Sequence, residues 1–416
     1  MQQARKFFGN KSDTLLFISL FYIAAIMPFQ KPEVPIWPGI ALMTGAWLFS
    51  GNLKKKFLNF LSNRTAVLFT SLYLFYSIGY FYSENKDYAQ TDLLLKIPLL
   101  LFPIIISTSF VKDKTTVLLK TFLWAALVSA VFCVARSGYL TYSTGENYFY
   151  YYKLSWFFHV GNYSMYLVFA TFIALYFLFS EKNTASPTLQ LFYISVFVFF
   201  SVVIILLSAR AQIVAFFAVL FCAALYYLLK KENRLKGLML LFSLAIILTV
   251  AIFLVPGTKG RFKTTHTELI KFLGQKKTED YQSYLRLSIW QTGMKVIREH
   301  PVFGVGTGDA KDKLLEQAKR KNYRIIVKKN LNYHNQFLQT MAAIGLPGLF
   351  ALLLSIAAGI AYSLHNREFL TTAFFIIITI SFFTESMLER QAGVIFYSFF
   401  SAILIFADNE KNEEFS

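Results

Sequence analysis

Residues 346–364, LPGLFALLLSIAAGIAYSL, decide the fold class of this chain, because the stretch contains no charged side chain. At a rise of about 1.5 Å per residue, a helix of this length crosses a hydrocarbon layer of about 30 Å. The whole chain is 56% hydrophobic and 15% charged, whereas a soluble domain carries about 25% charged residues. The sequence therefore predicts an all-α polytopic membrane protein. We count about twelve transmembrane helices, at 13–29, 35–51, 65–83, 92–110, 116–136, 159–180, 188–209, 211–229, 236–255, 346–364, 368–386 and 391–407.

The positive charges predict the orientation of these spans. Short loops on one side hold sixteen Lys and Arg residues, and the short loops on the other side hold four. Because the richer side is normally cytoplasmic, both termini are predicted in the cytoplasm. The formal net charge of +18 is also typical of proteins that bind nucleic acid. Because apolar spans dominate this chain, we expect it to contact membrane lipids and not to bind nucleic acid.

The same pattern divides the chain into three parts. We predict an N-terminal membrane domain (1–255), a large, mainly helical external loop domain (256–345) and a C-terminal membrane part (346–416). Residues 256–333 hold 17 Lys and Arg against 7 Asp and Glu, which indicates either a solvated basic face or a surface for anionic ligands. A second external loop, 137–158, is rich in tyrosine, which favours an interfacial aromatic belt over a sugar-stacking surface.

Two arginines are candidates for binding an anion. Arg210, in LLSARAQ, lies at the outer end of one span just before the next, where an ionisable residue usually has a partner. Arg286 lies within a helix predicted at 281–300, on a face that is otherwise apolar. A guanidinium can hold a phosphate through two parallel hydrogen bonds, although Arg210 could also extend to the lipid head groups.

Glycines 304, 306 and 308 follow that helix. They do not form a dinucleotide-binding fingerprint, because a helix and not a strand precedes them. We favour a compact turn over a loop whose backbone N–H groups bind a phosphate.

A histidine precedes the opening apolar run. We expect His334, Leu338, Met341 and Gly345 to share one helical face, with a break between Gly345 and Pro347. A histidine on an apolar stripe is more often a core residue than a catalyst. At head-group depth, however, an imidazole is well suited to accept a proton from a hydroxyl near neutral pH.

These stretches resemble the signatures of bacterial O-antigen ligases and polymerases. HNQFLQTMAAIGLPG fits the ligase pattern His-Asn-x9-Gly-x-x-Gly, and the SAR segment and residues 286–309 resemble two further motifs. The motifs cover about 200–364, and the whole chain is similar in span number and topology.

The resemblance implies a multi-spanning glycosyltransferase of the GT-C type in the bacterial inner membrane, with a periplasmic active site. The donor would be a glycan on undecaprenyl pyrophosphate, and the acceptor a hydroxyl of lipid A-core. The family arginines that hold pyrophosphate match Arg210 and Arg286, and the family histidine that activates the acceptor matches His334. Supporting residues in the matched motif would be Asn335, Gly345 and Gly348. Apart from the resemblance, Lys96 is a further supporting candidate because it lies near the outer end of the fourth span, although extension to the interface also explains it. No metal or cofactor is expected.

Other functions stay open at this point. A polymerase, or a ligase for a protein or envelope polymer, would share the chemistry and differ in the acceptor. A transporter of lipid-linked glycan would also suit twelve spans, but it usually has two similar halves and a site at mid-membrane. A metal-dependent transferase would have to use Glu33 or Asp92, because the first external loop, KPEVPIWP, offers only Glu33 and the sequence contains no Asp-x-Asp.

Overall fold

The computed structural model describes residues 2–29, 36–109, 114–180, 186–229, 234–254 and 282–407. Within these ranges the chain forms seventeen α-helices, three short 3₁₀ helices and no strand. The helices are α1 (Gln2–Ile26), α2 (Trp37–Phe49), α3 (Leu53–Ser62), α4 (Arg64–Tyr82), α5 (Lys86–Lys96), α6 (Pro98–Ser107), α7 (Thr115–Thr144), α8 (Val160–Ser180), α9 (Pro187–Leu207), α10 (Arg210–Leu229), α11 (Arg234–Leu254), α12 (Gln282–Glu299), α13 (Ala310–Arg320), α14 (Arg324–Lys328), α15 (Gln336–His365), α16 (Phe369–Thr384) and α17 (Gln391–Phe406). Glu33 and residues 256–281 of the predicted loop domain lie outside the described residues.

Within the described residues, every predicted span overlaps a helix or a pair of helices. In the described part of the chain, eight helical segments are long and apolar enough to cross a membrane, and α16 and α17 are shorter apolar helices. The all-α polytopic membrane fold is therefore confirmed. The helices pack around a core rich in phenylalanine, in which α4 contacts α15, α6 contacts α17, and α10 contacts α16.

Two predicted spans differ from the observed helices. The fourth consists of α5 and α6, joined at Ile97, because Pro98 lacks an N–H donor and starts a new helix. The fifth, α7, continues to Thr144 and ends at Gly145, whose φ of 72° is left-handed. Residues 137–144 of the predicted external loop are therefore helical.

The predicted break in α15 is confirmed. Ile344 (φ −129°, ψ 17°) and Gly345 (φ 65°, ψ −161°) leave the helical conformation before the helix resumes. A Cβ atom at Gly345 would collide with the carbonyl group of Val302, so both the φ angle and the close approach favour glycine. The break separates the first part of α15 from the part that continues the apolar run.

The glycine-rich segment after α12 is a compact turn, as we favoured. Gly304 and Gly306 have positive φ angles of 71° and 109°. The N–H of Gly306 donates to the Ala343 carbonyl (2.9 Å), and the N–H of Gly308 donates to Ser83 Oγ (3.0 Å). Because these N–H groups are bonded within the chain, they do not form the alternative phosphate-binding loop.

Candidate functional site

A cavity of about 270 Å³ lies where several helix ends meet. The end of α9, the end of α16 and the starts of α8, α10 and α15 line it, and α12 closes one side. Arg210, Arg286 and His334, which come from separate motifs, all line this cavity. These helix ends belong to the side of the membrane that the charge pattern predicts to be external.

A carboxylate that the sequence did not single out joins two of these residues. Glu385, directly after α16, accepts a hydrogen bond from Nη2 of Arg286 to its Oε1 atom (2.8 Å). Its Oε2 atom lies 2.8 Å from Nδ1 of His334. The expectation that Arg286 needs an anion is thus met within the protein, and the remaining N–H groups of its half-exposed guanidinium are left for a ligand.

The charge state of Glu385 fixes the direction of its hydrogen bond with His334. Burial raises the pKa of Glu385, but the hydrogen bond from His334 and the Arg286 guanidinium outweigh burial and lower that pKa to about 2. An ionised carboxylate only accepts hydrogen bonds, so Nδ1 of His334 carries the proton. In the neutral imidazole, Nε2 then has a free lone pair.

His334 precedes the helix and does not lie on its apolar stripe, so the expectation that it shares a face with Leu338 and Met341 is wrong. Asn335 is the N-cap residue of α15, and its Oδ1 atom accepts a hydrogen bond from the N–H of Leu338 (3.0 Å). His334 has a φ of 46°, in the left-handed region. This turn directs the chain away from the helix axis immediately before the cap.

The start of α15 also holds the segment that carries Glu385. Nδ2 of Asn335 donates to the carbonyl of Phe383 (3.1 Å), and Oε1 of Gln336 accepts from the N–H of Leu388 (2.7 Å). His334 and Glu385 are thus held relative to each other by side-chain hydrogen bonds to the backbone on both sides of Glu385. This supports a structural role for Asn335, in addition to the cap.

Lys96 is fully buried, and the expectation that it extends to the interface is wrong. Its Nζ atom bonds to Asp92, one turn earlier in α5, and lies 2.9 Å from Oε1 of Glu389. It also lies 4.6 Å from the centre of the Tyr76 ring. Because Glu389 belongs to the same short connection as Glu385, Lys96 anchors that connection to α5 without lining the cavity.

Arg210 begins α10, directly after a tight turn. Ser208 adopts a left-handed φ of 51° between α9 and α10, and its Oγ accepts a hydrogen bond from the hydroxyl of Tyr150 (3.0 Å). Further along α10, Nε2 of Gln212 donates to Oγ of Ser381 on α16 (2.8 Å). The helix start that holds Arg210 is therefore attached to the loop before α8 and to α16.

The two glycines of the motif lie away from the cavity. Gly345 occupies the break described above, and Gly348 packs against the side chain of Ile344. Asp92, which we considered as a metal-site residue, is bonded to Lys96. In the described ranges, no group of three or more His, Cys, Asp or Glu residues is arranged to hold a metal ion.

The sequence did not indicate several residues of this site. Glu385, Glu389 and His159 are isolated polar residues at span ends, so no periodic pattern marks them. One signal was present: FFTESMLER places two carboxylates between the last two spans. An acidic residue at a span end generally has a basic partner, and a search for such partners would have selected Glu385.

The comparisons with known proteins cover part of this site. Residues 195–353 match the family model described as O-Antigen ligase, a region that contains Arg210, Arg286 and His334. An uncharacterized protein of Haemophilus influenzae is 26% identical over 421 residues, covering 94% of this chain and 96% of that protein. Members of the matched family are glycosyltransferase-like enzymes. The match supports the O-antigen ligase and polymerase superfamily, in agreement with the resemblance carried by the motifs.

Proposed function

We propose that this protein transfers a glycan from undecaprenyl pyrophosphate to a hydroxyl group of lipid A-core, at the periplasmic face of the inner membrane. The observation that carries the proposal is the contact of Glu385 with both Arg286 and His334, in a cavity that Arg210 also lines. The family match supports the lipid-linked glycan and the glycan acceptor as substrate classes. The reaction would use no metal or cofactor.

The charges around the cavity favour the pyrophosphate end of such a donor. Arg210, Arg286 and Lys329 line it with three positive charges, against the one carboxylate of Glu385. A net positive, partly enclosed cavity attracts the negatively charged pyrophosphate diester. As the leaving pyrophosphate gains negative charge, the same cations would stabilise the transition state.

His334 would act as the general base. Its protonated Nδ1 is held by Glu385, so Nε2 can accept the proton of the acceptor hydroxyl. The hydroxyl oxygen then forms a bond with the anomeric carbon, while the bond from that carbon to the pyrophosphate oxygen breaks and its electron pair stays on the phosphate. The carboxylate of Glu385 would stabilise the imidazolium that results.

Deletion of the gene tests this function and separates it from polymerisation. A strain without a ligase should lose the whole O-antigen ladder on a lipopolysaccharide gel and accumulate polymer on the lipid carrier. A strain without a polymerase should retain a band with one repeat. An unchanged ladder would contradict both activities and would favour a protein or another envelope polymer as the acceptor.

A further inference from the structure

A second histidine lines the cavity and has no role in the proposed chemistry. His159 directly precedes α8, and its side chain is exposed toward the cavity. The N–H of Gly161 donates to its Nδ1 atom (3.4 Å), as in an N-cap. No described residue bonds to Nε2, so this atom is left for a ligand.

The two histidines of the cavity have opposite hydrogen-bonding patterns. Nδ1 of His334 donates to Glu385, which leaves Nε2 as an acceptor in the neutral ring. Nδ1 of His159 accepts from Gly161, so the proton of its neutral ring lies on Nε2. His159 therefore offers a donor where His334 offers an acceptor.

The surroundings of His159 favour its neutral form. Desolvation of the ring by its neighbours and the positive charge of Arg390 lower the pKa of His159. Glu385 raises this pKa to a smaller extent, and His334 and Arg286 lower it further. When Nδ1 of a neutral imidazole accepts a hydrogen bond from a backbone N–H, Nε2 carries the proton. The ring then has no free nitrogen lone pair to accept a proton from a hydroxyl. The same ring remains a good N–H donor to an anion.

The loop that ends at His159 is attached to the arginine side of the cavity. Tyr150 donates a hydrogen bond to Ser208, two residues before Arg210, and Tyr151 lines the cavity between them. The loop is also closed on itself by the ion pair of Glu146 with Lys153 (2.7 Å). The position of His159 is therefore fixed from both ends, by this loop and by α8.

We propose that His159 donates a hydrogen bond from Nε2 to a phosphate oxygen of the lipid-linked pyrophosphate, as a third phosphate-binding residue beside Arg210 and Arg286. This inference rests on the proposed function, because it takes the pyrophosphate lipid as the ligand. The role is binding of the leaving group, and it is distinct from the proton acceptance assigned to His334.

Two substitutions of this residue test the role. His159→Leu removes the donor at similar size, whereas His159→Gln retains an N–H group at about the position of Nε2. The purified full-length chain is titrated with undecaprenyl pyrophosphate that carries no glycan, so that neither transfer nor an acceptor is needed. The leucine variant should bind about tenfold more weakly, as expected when a hydrogen bond to a charged group is lost. The glutamine variant should stay within about threefold of the wild type.

The control is His300→Leu, since His300 lines a separate pocket between α12 and α13. This variant should bind the carrier as the wild type does. Equal binding by the wild type and the His159→Leu protein would overturn the role of His159 alone. Weaker binding by both the glutamine and leucine variants would show that the ring is needed for packing and would also overturn it. Failure of the wild type to bind any pyrophosphate lipid would instead overturn the proposed function itself.

Discussion

The Nδ1 atom of His334 lies 2.8 Å from the Oε2 atom of Glu385, which follows it by 51 residues in the chain. This contact sets which nitrogen of the imidazole faces the cavity. We expect His334→Ala to lower the transfer rate by about 10² to 10⁴ and to leave binding of the pyrophosphate carrier almost unchanged. Parallel measurements of carrier affinity and transfer rate on the purified variant check this. A well-folded His334→Ala protein with near-normal transfer would remove the histidine from the mechanism.

Glu385 should act through His334. Glu385→Gln removes the charge that stabilises the imidazolium, and we expect it to reduce kcat by at least about tenfold. Because both residues serve one step, the double variant should be no slower than His334→Ala alone. Losses that multiply in the double variant would show that Glu385 acts separately, for example by holding Arg286.

The two arginines should not tolerate lysine. A point charge does not reproduce the planar, two-donor grip of a guanidinium on a phosphate, so Arg210→Lys and Arg286→Lys should each lose most transfer activity while inserting normally. Arg298→Lys is the matched control, since Arg298 is exposed on the same helix as Arg286 and does not line the cavity. Full activity in both cavity variants would place the pyrophosphate elsewhere.

The buried cation Lys96 should matter for stability more than any exposed lysine. Lys96→Met leaves the carboxylates of Asp92 and Glu389 buried without their cation, which should cost about 3–5 kcal/mol in the free energy of unfolding. Combining it with Glu389→Gln should recover part of that loss. Thermal unfolding in detergent checks both variants against Lys86→Met, a change at an exposed site. A Lys96→Met protein as stable as this control would contradict the anchoring role.

The ionisation of Glu385 predicts a dependence of stability on pH. Its pKa falls from the ordinary value of 4.5 to about 2 in the folded protein, so the folded state favours the carboxylate. The resulting stabilisation is complete above about pH 5 and is lost as the pH falls from 4.5 toward 2. The difference in melting temperature between the wild type and Glu385→Gln should therefore be constant from pH 8 to 5 and shrink below that range. A difference that shrinks between pH 8 and 6 would contradict the low pKa.

The predicted orientation can be tested with introduced cysteines. In a background without Cys133 and Cys222, Arg320→Cys on α13 should react with an impermeant thiol reagent in cells with a permeabilised outer membrane. Lys55→Cys on α3 should react only after the inner membrane is lysed. Both side chains are exposed, so the comparison depends on the side of the membrane. The reverse pattern of labelling would invert the topology.

The helices, and three residues that line the candidate site, could be predicted from the sequence for different physical reasons. Apolar runs of sufficient length directly predict transmembrane helices. The spacing of the motifs was enough to select Arg210, Arg286 and His334. The contacts that organise the site were not accessible, because a hydrogen bond such as that between Lys96 and Glu389 joins residues 293 positions apart. The exact start of α15 was also missed. The helical spacing of the sequence includes His334, whereas the helix begins only after the Asn335 cap.

The break in α15 has a consequence for exchanging parts between related proteins. Backbone groups of 301–306 bond directly to 342–346, through the N–H of Val305 to Ala342 (2.8 Å) and of Leu346 to Pro301 (3.1 Å). These bonds do not depend on side chains, but their spacing requires the glycine conformation at Gly345. A chimera of two homologues should therefore keep glycine at position 345 and take residues 301–306 and 342–346 from the same parent, because backbone hydrogen bonds join these two segments.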